Sequence, residues 1–349
     1  MVAGWSRGYV GLSTQTVTTE PGDKTAMTTT SIYSSDGVHW HAGGTVRQPA
    51  SIDNMDIRAV YEGPAGLLAV EESGACGDTW VDGLLTSKDG VTWQAVDMGK
   101  AFGKAVIWNV SGGSAGFVTT DTTGTRAWTS HDGRSWQSAK LGTPAFARSR
   151  IDDGTAFSAG FVLAGSTEVT GARSCGAATF DPDATPAPTP PLRIPAVWYS
   201  ADGSSWVKAD LPGAKPAYPI QMAACRLDDH TIAVYGSGAW LSSDGRTWKP
   251  MTASLGYAPL GGFTFDTLGN GSFLTDGRHG IQIQGLKETV EDPYAGGASL
   301  STWTDGRLVT LAQSGHWPTY EFSTQWAVGP TGILVIDDGR LWIGLPSTN

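Results

Sequence analysis

Acid–base chemistry on a glycosidic bond needs two carboxyl groups about 5 to 10 Å apart. The sequence offers its carboxylates in small groups. Asp53 and Asp56 precede Glu62, the pair Glu71–Glu72 follows, and Arg58 and Arg150 supply positive charge for a shared pocket. Trp80, Trp108 and Trp317 are the aromatic residues that would wall it. No spacing among these residues is specific, because acidic residues near turns are common in any chain of short strands. Asp152-Asp153 and Asp228-Asp229-His230 read as strand-to-strand turns. The six histidines, His41, His279 and His316 among them, form no ligand set, and no C-x-x-C or His–Cys spacing exists. Neither a metal nor a cofactor is expected.

The elements that would position these groups are far more legible. Five segments match S-x-D-G-x-x-W: Ser34 to Trp40, Ser87 to Trp93, Ser130 to Trp136, Ser200 to Trp206 and Ser242 to Trp248. Four fixed positions repeated five times define a structural repeat. The chemistry at that spacing belongs to a turn. Asp36, Asp89, Asp132, Asp202 and Asp244 each precede a glycine that can take φ > 0, so the carboxylate can cap backbone N–H groups. Trp40, Trp93, Trp136, Trp206 and Trp248 lead the next strand and are expected to bury about 200 Å² each against a neighbouring sheet.

A second recurring piece lies upstream, a glycine followed by an apolar strand, as in Gly8 to Leu12, Gly66 to Val70, Gly116 to Val118 and Gly160 to Ala164. Each repeat therefore reads as an inner strand, a Gly-apolar strand, a strand entering the turn, and a Trp-led outer strand. The repeated aspartates are 53, 43, 70 and 42 residues apart, a spacing that suits one four-stranded blade per repeat. After residue 251 the full motif disappears but the rhythm continues, with Asp-Gly-Arg turns at Asp276, Asp305 and Asp338. The expected fold is all-β: a β-propeller of four-stranded blades, seven or alternatively eight, occupying 1–349 as one domain. A ring must hide its edges, so the two chain ends are expected to share one composite blade.

The repeats resemble the Asp boxes, or BNR repeats, of the sialidase-like propeller superfamily, with one residue fewer than usual between Asp and Trp. Clear matches run from 34 to 248. The resemblance implies that the box turns share one side of the disc and that a binding site occupies the other, the loop face. Two loops of that face stand out, Glu71 to Asp78 and an insertion at 166–195 carrying a proline-rich tract from Asp181 to Pro191. Such a tract favours extended polyproline conformation. Among the three cysteines, Cys76 and Cys175 fall in loops of that face and are expected to form a disulfide, leaving Cys225 buried and free.

A sialidase of this family needs three arginines for the substrate carboxylate and an Arg-Ile-Pro motif before its first box. Arg193-Ile194-Pro195 occurs here, after Leu192 and before the fourth box, and reads as chance. The favoured function is therefore a non-catalytic extracellular recognition or scaffold propeller binding a protein or glycan on its loop face. The alternative is a glycoside hydrolase or lyase of sialidase-like fold that is not a true sialidase.

Composition narrows the partners. With 23 basic against 33 acidic residues the formal charge is −10, and no basic stripe is present to neutralise phosphates. Nucleic acid is not expected as a partner, nor is an anionic membrane surface. No apolar run approaches the roughly 18 residues that span a bilayer. Met1 to Ser6 lacks a basic start with an apolar stretch, so an export signal or lipid anchor is expected to have been removed upstream of a secreted or envelope-anchored monomer.

Overall fold

In the computed structural model, residues 1–17, 26–49, 56–75, 78–139, 141, 144–173, 191–217, 220–227, 229–250, 272–275, 280–285, 298–304, 307–314, 325–337 and 340–344 are described. The short apolar runs between turn signals form antiparallel meanders. The first sheet is β1 (Val2–Trp5), β2 (Gly8–Val17), β3 (Ala26–Ser34) and β4 (His41–Pro49), paired in chain order. A second meander comprises β5 (Asp56–Gly63), β6 (Gly66–Ala75), β7 (Asp78–Ser87) and β8 (Trp93–Ala95); a third comprises β9 (Ile107–Gly113), β10 (Gly116–Asp121), β11 (Ala127–Ser130) and β12 (Gln137–Ser138). One residue pair, Val81 with Ile107, joins these two into an eight-stranded sheet.

Two further four-stranded sheets follow: β13 (Ser149–Phe157), β14 (Gly160–Arg173), β15 (Pro191–Ser200), β16 (Val207–Ala209), then β17 (Ala223–Arg226), β18 (Ile232–Tyr235), β19 (Ala239–Ser242), β20 (Lys249–Pro250). The C-terminal region supplies β21 (Ser272–Thr275), β22 (Gly280–Gly285), β23 (Ala298–Thr304) and β24 (Arg307–Ser314), and a three-stranded sheet of β25 (Gln325–Gly329), β26 (Gly332–Asp337) and β27 (Arg340–Gly344). The chain is thus all-β in antiparallel four-stranded units. Helix α1 (Met98–Phe102) interrupts this pattern, capped by Asp97 accepting the Lys100 amide at 3.0 Å. Among the described residues no helix is long and apolar enough to cross a membrane.

The five S-x-D-G-x-x-W turns fold alike. In each, the Ser hydroxyl donates to Asp Oδ1 at 3.0–3.1 Å and accepts the Gly amide at 2.8–2.9 Å. The same Oδ1 accepts the two amides that follow the glycine at 2.7–3.0 Å. The Trp indole N–H then donates to the Gly carbonyl at 2.9–3.1 Å, a bond the spacing alone does not announce. Trp93, Trp206 and Trp248 are buried, while Trp40 and Trp136 are half-buried.

The two recurring motifs meet in space. The glycines opening the second strands, Gly8, Gly66, Gly116 and Gly160, have φ between 131° and 143°, a region that favours glycine. A Cβ there would collide with the carbonyl of the turn serine: Ser34, Ser87, Ser130 or Ser200. The turn glycine, in turn, packs on the preceding sheet. Gly90 faces Trp5, Gly133 faces Leu68 and Thr86, Gly203 faces Thr129, and Gly245 faces Tyr199. Gly37 of the first sheet faces Leu334 of the last.

The core is accordingly distributed among the seams between sheets. Trp5, Val10, Leu67 and Leu85 fill the seam between the first and second units; Val70, Ile107, Phe117 and Trp128 fill the next. Val118, Leu163 and Trp198 follow, then Phe157, Val197, Met222 and Trp240. Val2, Tyr9 and Leu334 form a smaller cluster between the first and last sheets, where β1 lies against β25. Among the described residues the composite blade is not seen: β1 pairs with β2 within the four-stranded first sheet, and β25 to β27 pair with one another. The chain ends meet side by side through Tyr9 Oη and Thr331 Oγ1, 3.0 Å apart, and through Thr331 Oγ1 donating to the Asp36 carbonyl at 3.2 Å.

Candidate functional site

In a four-stranded meander the first and third turns share one end of the sheet and the second turn takes the other. The box turns and the β1–β2, β5–β6, β9–β10 and β17–β18 turns therefore lie at one end, here called the box end. The inner strands begin at the opposite, loop end. The candidate residues divide between the two. Glu62, at the end of β5, lies at the box end and accepts from Ser6 twice, from the amide at 2.9 Å and from the hydroxyl. Arg58, Glu71, Glu72 and Arg150 lie toward the loop end.

Three inner strands carry the same irregularity near that end. Pairing skips Arg58 in β5, Trp108 in β9 and Asp152 in β13, each eight residues before the glycine that opens the next strand. A β-bulge leaves one residue unpaired and re-aims its side chain, a device frequent beside functional sites. Arg58 and Trp108 are exposed, Trp108 at 36%. Asp152 is buried, with Oδ1 3.1 Å from the Nε of Arg150, whose side chain is largely exposed.

Asp152 and Asp153 are not in a turn, as their sequence context suggests; they lie inside β13. The correction has a clear reason. An inner strand has a free edge, and the carboxylates serve the edge of the next one. Asp152 Oδ2 accepts the Met222 amide at 3.1 Å, and Asp153 Oδ2 accepts that of Ala224 at 2.9 Å. Asp153 Oδ1 also accepts its neighbour Gly154 N at 2.6 Å and Asn109 Nδ2 at 2.7 Å. Burial pushes the Asp152 carboxyl up to about 6, against the Met222 amide and the charges of Arg150 and Arg193. Burial pushes Asp153 up to about 7, against the Ala224 and Gly154 amides and with help from the Asp152 charge. Glu72 is raised by burial, with Arg58 opposing. The phenol of Tyr61 is pushed well above its ordinary range by burial, with Glu72 and Asp153 adding to it. Asn109 and Asp153 each stand seven residues before a strand-opening glycine, Gly116 and Gly160. That shared position was the available signal.

The remaining candidates divide further. Glu71 is fully buried at the seam between the first two units, accepting from Thr29 Oγ1 at 3.4 Å and occupying the space a Cβ on Gly83 would need. Asp56 stands opposite Glu72 in the β5–β6 register. Trp80 is half-buried in β7. Arg193 is spent within its own sheet, with Nε donating to Ser166 Oγ at 2.8 Å and Nη2 to the carbonyls of Ser166 and Arg148 at 2.9 and 3.2 Å. The ends of the 166–195 insertion are paired strand, Thr167 with Ile194 and Glu168 with Arg193. Asp229 and His230 do lie in the β17–β18 turn, and His41 packs beside Tyr33. Cys225 is buried and free, its thiol pushed up by burial. Asp53, Cys76, Cys175, Asp228, Trp317, His279, His316 and the tract 181–190 lie outside the described residues. Among the described residues no group of His, Cys, Asp and Glu is arranged to hold a metal.

No protein-family model matches the chain, and no curated protein sequence matches it. Among solved structures, one from "Crystal Structure of Mitotic Checkpoint Complex" is similar at TM-score 0.45 and 10% identity, over 98% of this chain and 89% of that one. "NanB plus Optactamide" is similar at 0.34 and 11%, over 96% of this chain and 64% of that one, so this chain spans less than two thirds of its length. A structure described as "Glycoside hydrolase" is similar at 0.27 and 12%, over 91% of this chain and 93% of that one. At these scores the likenesses define neither site nor activity. The class of the protein, an all-β chain of antiparallel four-stranded units, rests on its own strand pairing.

Proposed function

We propose that the chain closes into a propeller of seven blades with Asp-box turns, and that it works as a non-catalytic recognition protein, exported or held at the cell envelope. Seven blades are favoured by the succession of seven strand units among the described residues and by the contact of Gly37 and Tyr9 with Leu334 and Thr331. That contact repeats, between the first and last sheets, the packing of each box glycine on the sheet before it. On this reading a protein or glycan ligand docks on the loop face, where the bulges turn Arg58 and Trp108 outward.

One observation carries the non-catalytic reading: four of the described carboxylates near the inner strands, Asp152, Asp153, Glu62 and Glu71, are engaged in holding the fold. Asp152 and Asp153 accept edge amides of β17, Glu62 holds the Ser6 turn, and Glu71 is sealed in a seam. A carboxylate fixed by several amides is a poor proton shuttle, because each move of the proton breaks those bonds.

A second reading, a carbohydrate-active hydrolase or lyase, is favoured by the raised carboxyls of Glu72 and Asp153, whose charges both act on Tyr61, and of Asp152 next to Asp153. Perturbed carboxyls in one place are what acid–base sites display. A panel of fluorogenic neutral and acidic glycosides, run beside a glycan-binding array, separates the two. The recognition reading expects no turnover and array binding that weakens at least tenfold in Trp108→Ala. Turnover that disappears in Glu72→Gln, with the melting temperature unchanged, would replace it with the hydrolase reading.

A further inference from the structure

The described residues line an open cavity of about 280 Å³ at the box end, away from the loop face. It collects side chains from four inner turns or their flanking strands: Ser6 and Arg7, Glu62, Ser114, and Arg226 with Asp229. We propose that this cavity is a separate binding site for a small carboxylic acid that also carries hydroxyl or ammonium donors.

The charges decide the ligand class. Arg226 comes from β17, and its side chain is only 10% exposed. Its Nη1 donates to Asp229 Oδ1 at 3.2 Å, and it lies 3.3 Å from where a Cβ on Gly113 would sit. The guanidinium therefore reaches past β13 toward the end of β9, where the Ala156 carbonyl is what demands a glycine at 113. A buried guanidinium keeps its charge and offers donors in a fixed plane that matches a carboxylate. Arg7 adds a second cation at the rim: it is exposed, stacks over Trp5 at 5.0 Å and reaches the Lys88 carbonyl at 3.4 Å.

The other wall is an acceptor. Two hydrogen bonds from Ser6 fix the Glu62 carboxylate, and a carboxylate has lone pairs beyond those two. A ligand with its anion toward Arg226 and Arg7 and a hydroxyl or ammonium toward Glu62 matches both walls. Asp229 lines the cavity too and pairs with Arg226, so a plain anion would meet two carboxylates, Glu62 and Asp229, and a plain cation two guanidinium groups, Arg226 and Arg7. The volume, about 280 Å³, lies just below the usual range for small-molecule pockets, about 300–1,000 Å³, and suits a monomeric acid.

The test uses glucuronate as probe, with glucose as the same ring without a carboxylate and acetate as a carboxylate without the hydroxyls. Titration calorimetry on the full chain is expected to show glucuronate binding at least tenfold more tightly than either. Arg7→Ala, an exposed substitution, should weaken it at least fivefold, and Glu62→Gln should weaken it while narrowing the gap to acetate. Arg226→Lys keeps the charge but loses the planar fork and should weaken it further. Trp108→Ala, on the loop face, should leave it unchanged. Equal affinity for glucuronate and glucose would overturn the proposal. So would glucuronate binding that is lost in Trp108→Ala and kept in Arg7→Ala, and neither result would bear on whether a macromolecule docks on the loop face.

Discussion

The carboxylate of Asp153 in β13 accepts the amide of Ala224 in β17 at 2.9 Å, and Asp152 beside it accepts that of Met222 at 3.1 Å. Two consecutive residues can face the same neighbouring strand because the bulge at Asp152 breaks the alternation of side chains. The seam between the fourth and fifth sheets is thereby joined by side chain to backbone, over an edge that would otherwise present bare N–H groups.

Asp153→Ala should therefore loosen that seam. It removes the acceptor for Ala224 N and Asn109 Nδ2, and buried donors left without partners cost about 1–3 kcal/mol each. Urea unfolding is expected to show a loss of about 2–4 kcal/mol with folding preserved in a chain of this size. A loss below about 0.5 kcal/mol would mean that water replaces the carboxylate and that the seam is held by packing alone.

The same pair sets a pH dependence. Both carboxyls sit above their ordinary value of 3.8, at about 6 and about 7. The folded chain therefore holds protons that the unfolded chain has released, and stability from this pair is fully present below about pH 4 and lost as pH rises through 6 to 7. The melting temperature should rise as pH falls from about 8 to about 5.5, and the rise should shrink in Asp152→Asn. The box carboxylates act oppositely at lower pH: burial raises Asp132, but the amides of Ser135 and Arg134 outweigh it, and the net shift is downward. Their contribution, present above about pH 4, is lost as pH falls through their lowered values. A flat profile across the neutral-to-mildly-acidic range would count against proton uptake by Asp152 and Asp153.

The box repeat was legible in the sequence because its chemistry is local. Ser34, Asp36, Gly37 and Trp40 bond within seven residues, so their spacing is their structure. The glycines opening each second strand were legible for a related reason, although the serine carbonyl that demands Gly8 lies 26 residues on. The candidate site was less legible. Glu71 is a core residue because Gly83 makes room for it across the β6–β7 ladder, and no pattern in either strand says so. Asp152 and Asp153 resemble turn residues by type, but a strand register one position out of step gives them another role. Bulges arise from pairing between segments, and a single strand read alone does not contain them.

Asp132→Ala tests whether the box is a latch only. Asp132 Oδ1 accepts the Arg134 and Ser135 amides at 2.8 and 2.7 Å, and both are exposed to water on loss of the carboxylate. By analogy with lost helix caps, the cost is about 1–2 kcal/mol. Binding at permissive temperature should survive. Binding lost at an unchanged melting temperature would make the turn part of a recognition surface.

Cysteine chemistry tests the reading of the loop end. Cys225 is buried in β17, with its thiol raised by burial, so it should resist alkylation until the protein unfolds. Non-reducing peptide mapping is expected to recover Cys76 linked to Cys175, a bond that would restrain the long insertion at 166–195. A Cys175–Cys225 peptide would refute the pairing and the burial of Cys225 together.

The sharpest expectation concerns sialosides. Such a substrate presents a carboxylate that must be gripped by converging guanidinium groups, because a desolvated anion left poorly paired binds weakly. Arg193 stands in the one Arg-Ile-Pro sequence, yet its guanidinium is bonded to Ser166 Oγ and to the carbonyls of Ser166 and Arg148. Arg150 is turned to Asp152, and Arg148 reaches Thr170 Oγ1 at 3.1 Å from a backbone at φ 56°. Arg134 and Arg246 belong to box turns at the other end of their sheets, Arg134 donating to Thr86 and Arg246 stacked on Tyr199. Purified protein should therefore leave a fluorogenic sialoside unhydrolysed. Arg193→Ala should lower the melting temperature by several degrees through the bonds it removes, without altering any ligand affinity measured at the loop face. Sialoside turnover that vanishes in Arg193→Ala at an unchanged melting temperature would show that this guanidinium leaves Ser166 for a substrate, and the non-catalytic reading would fall with it.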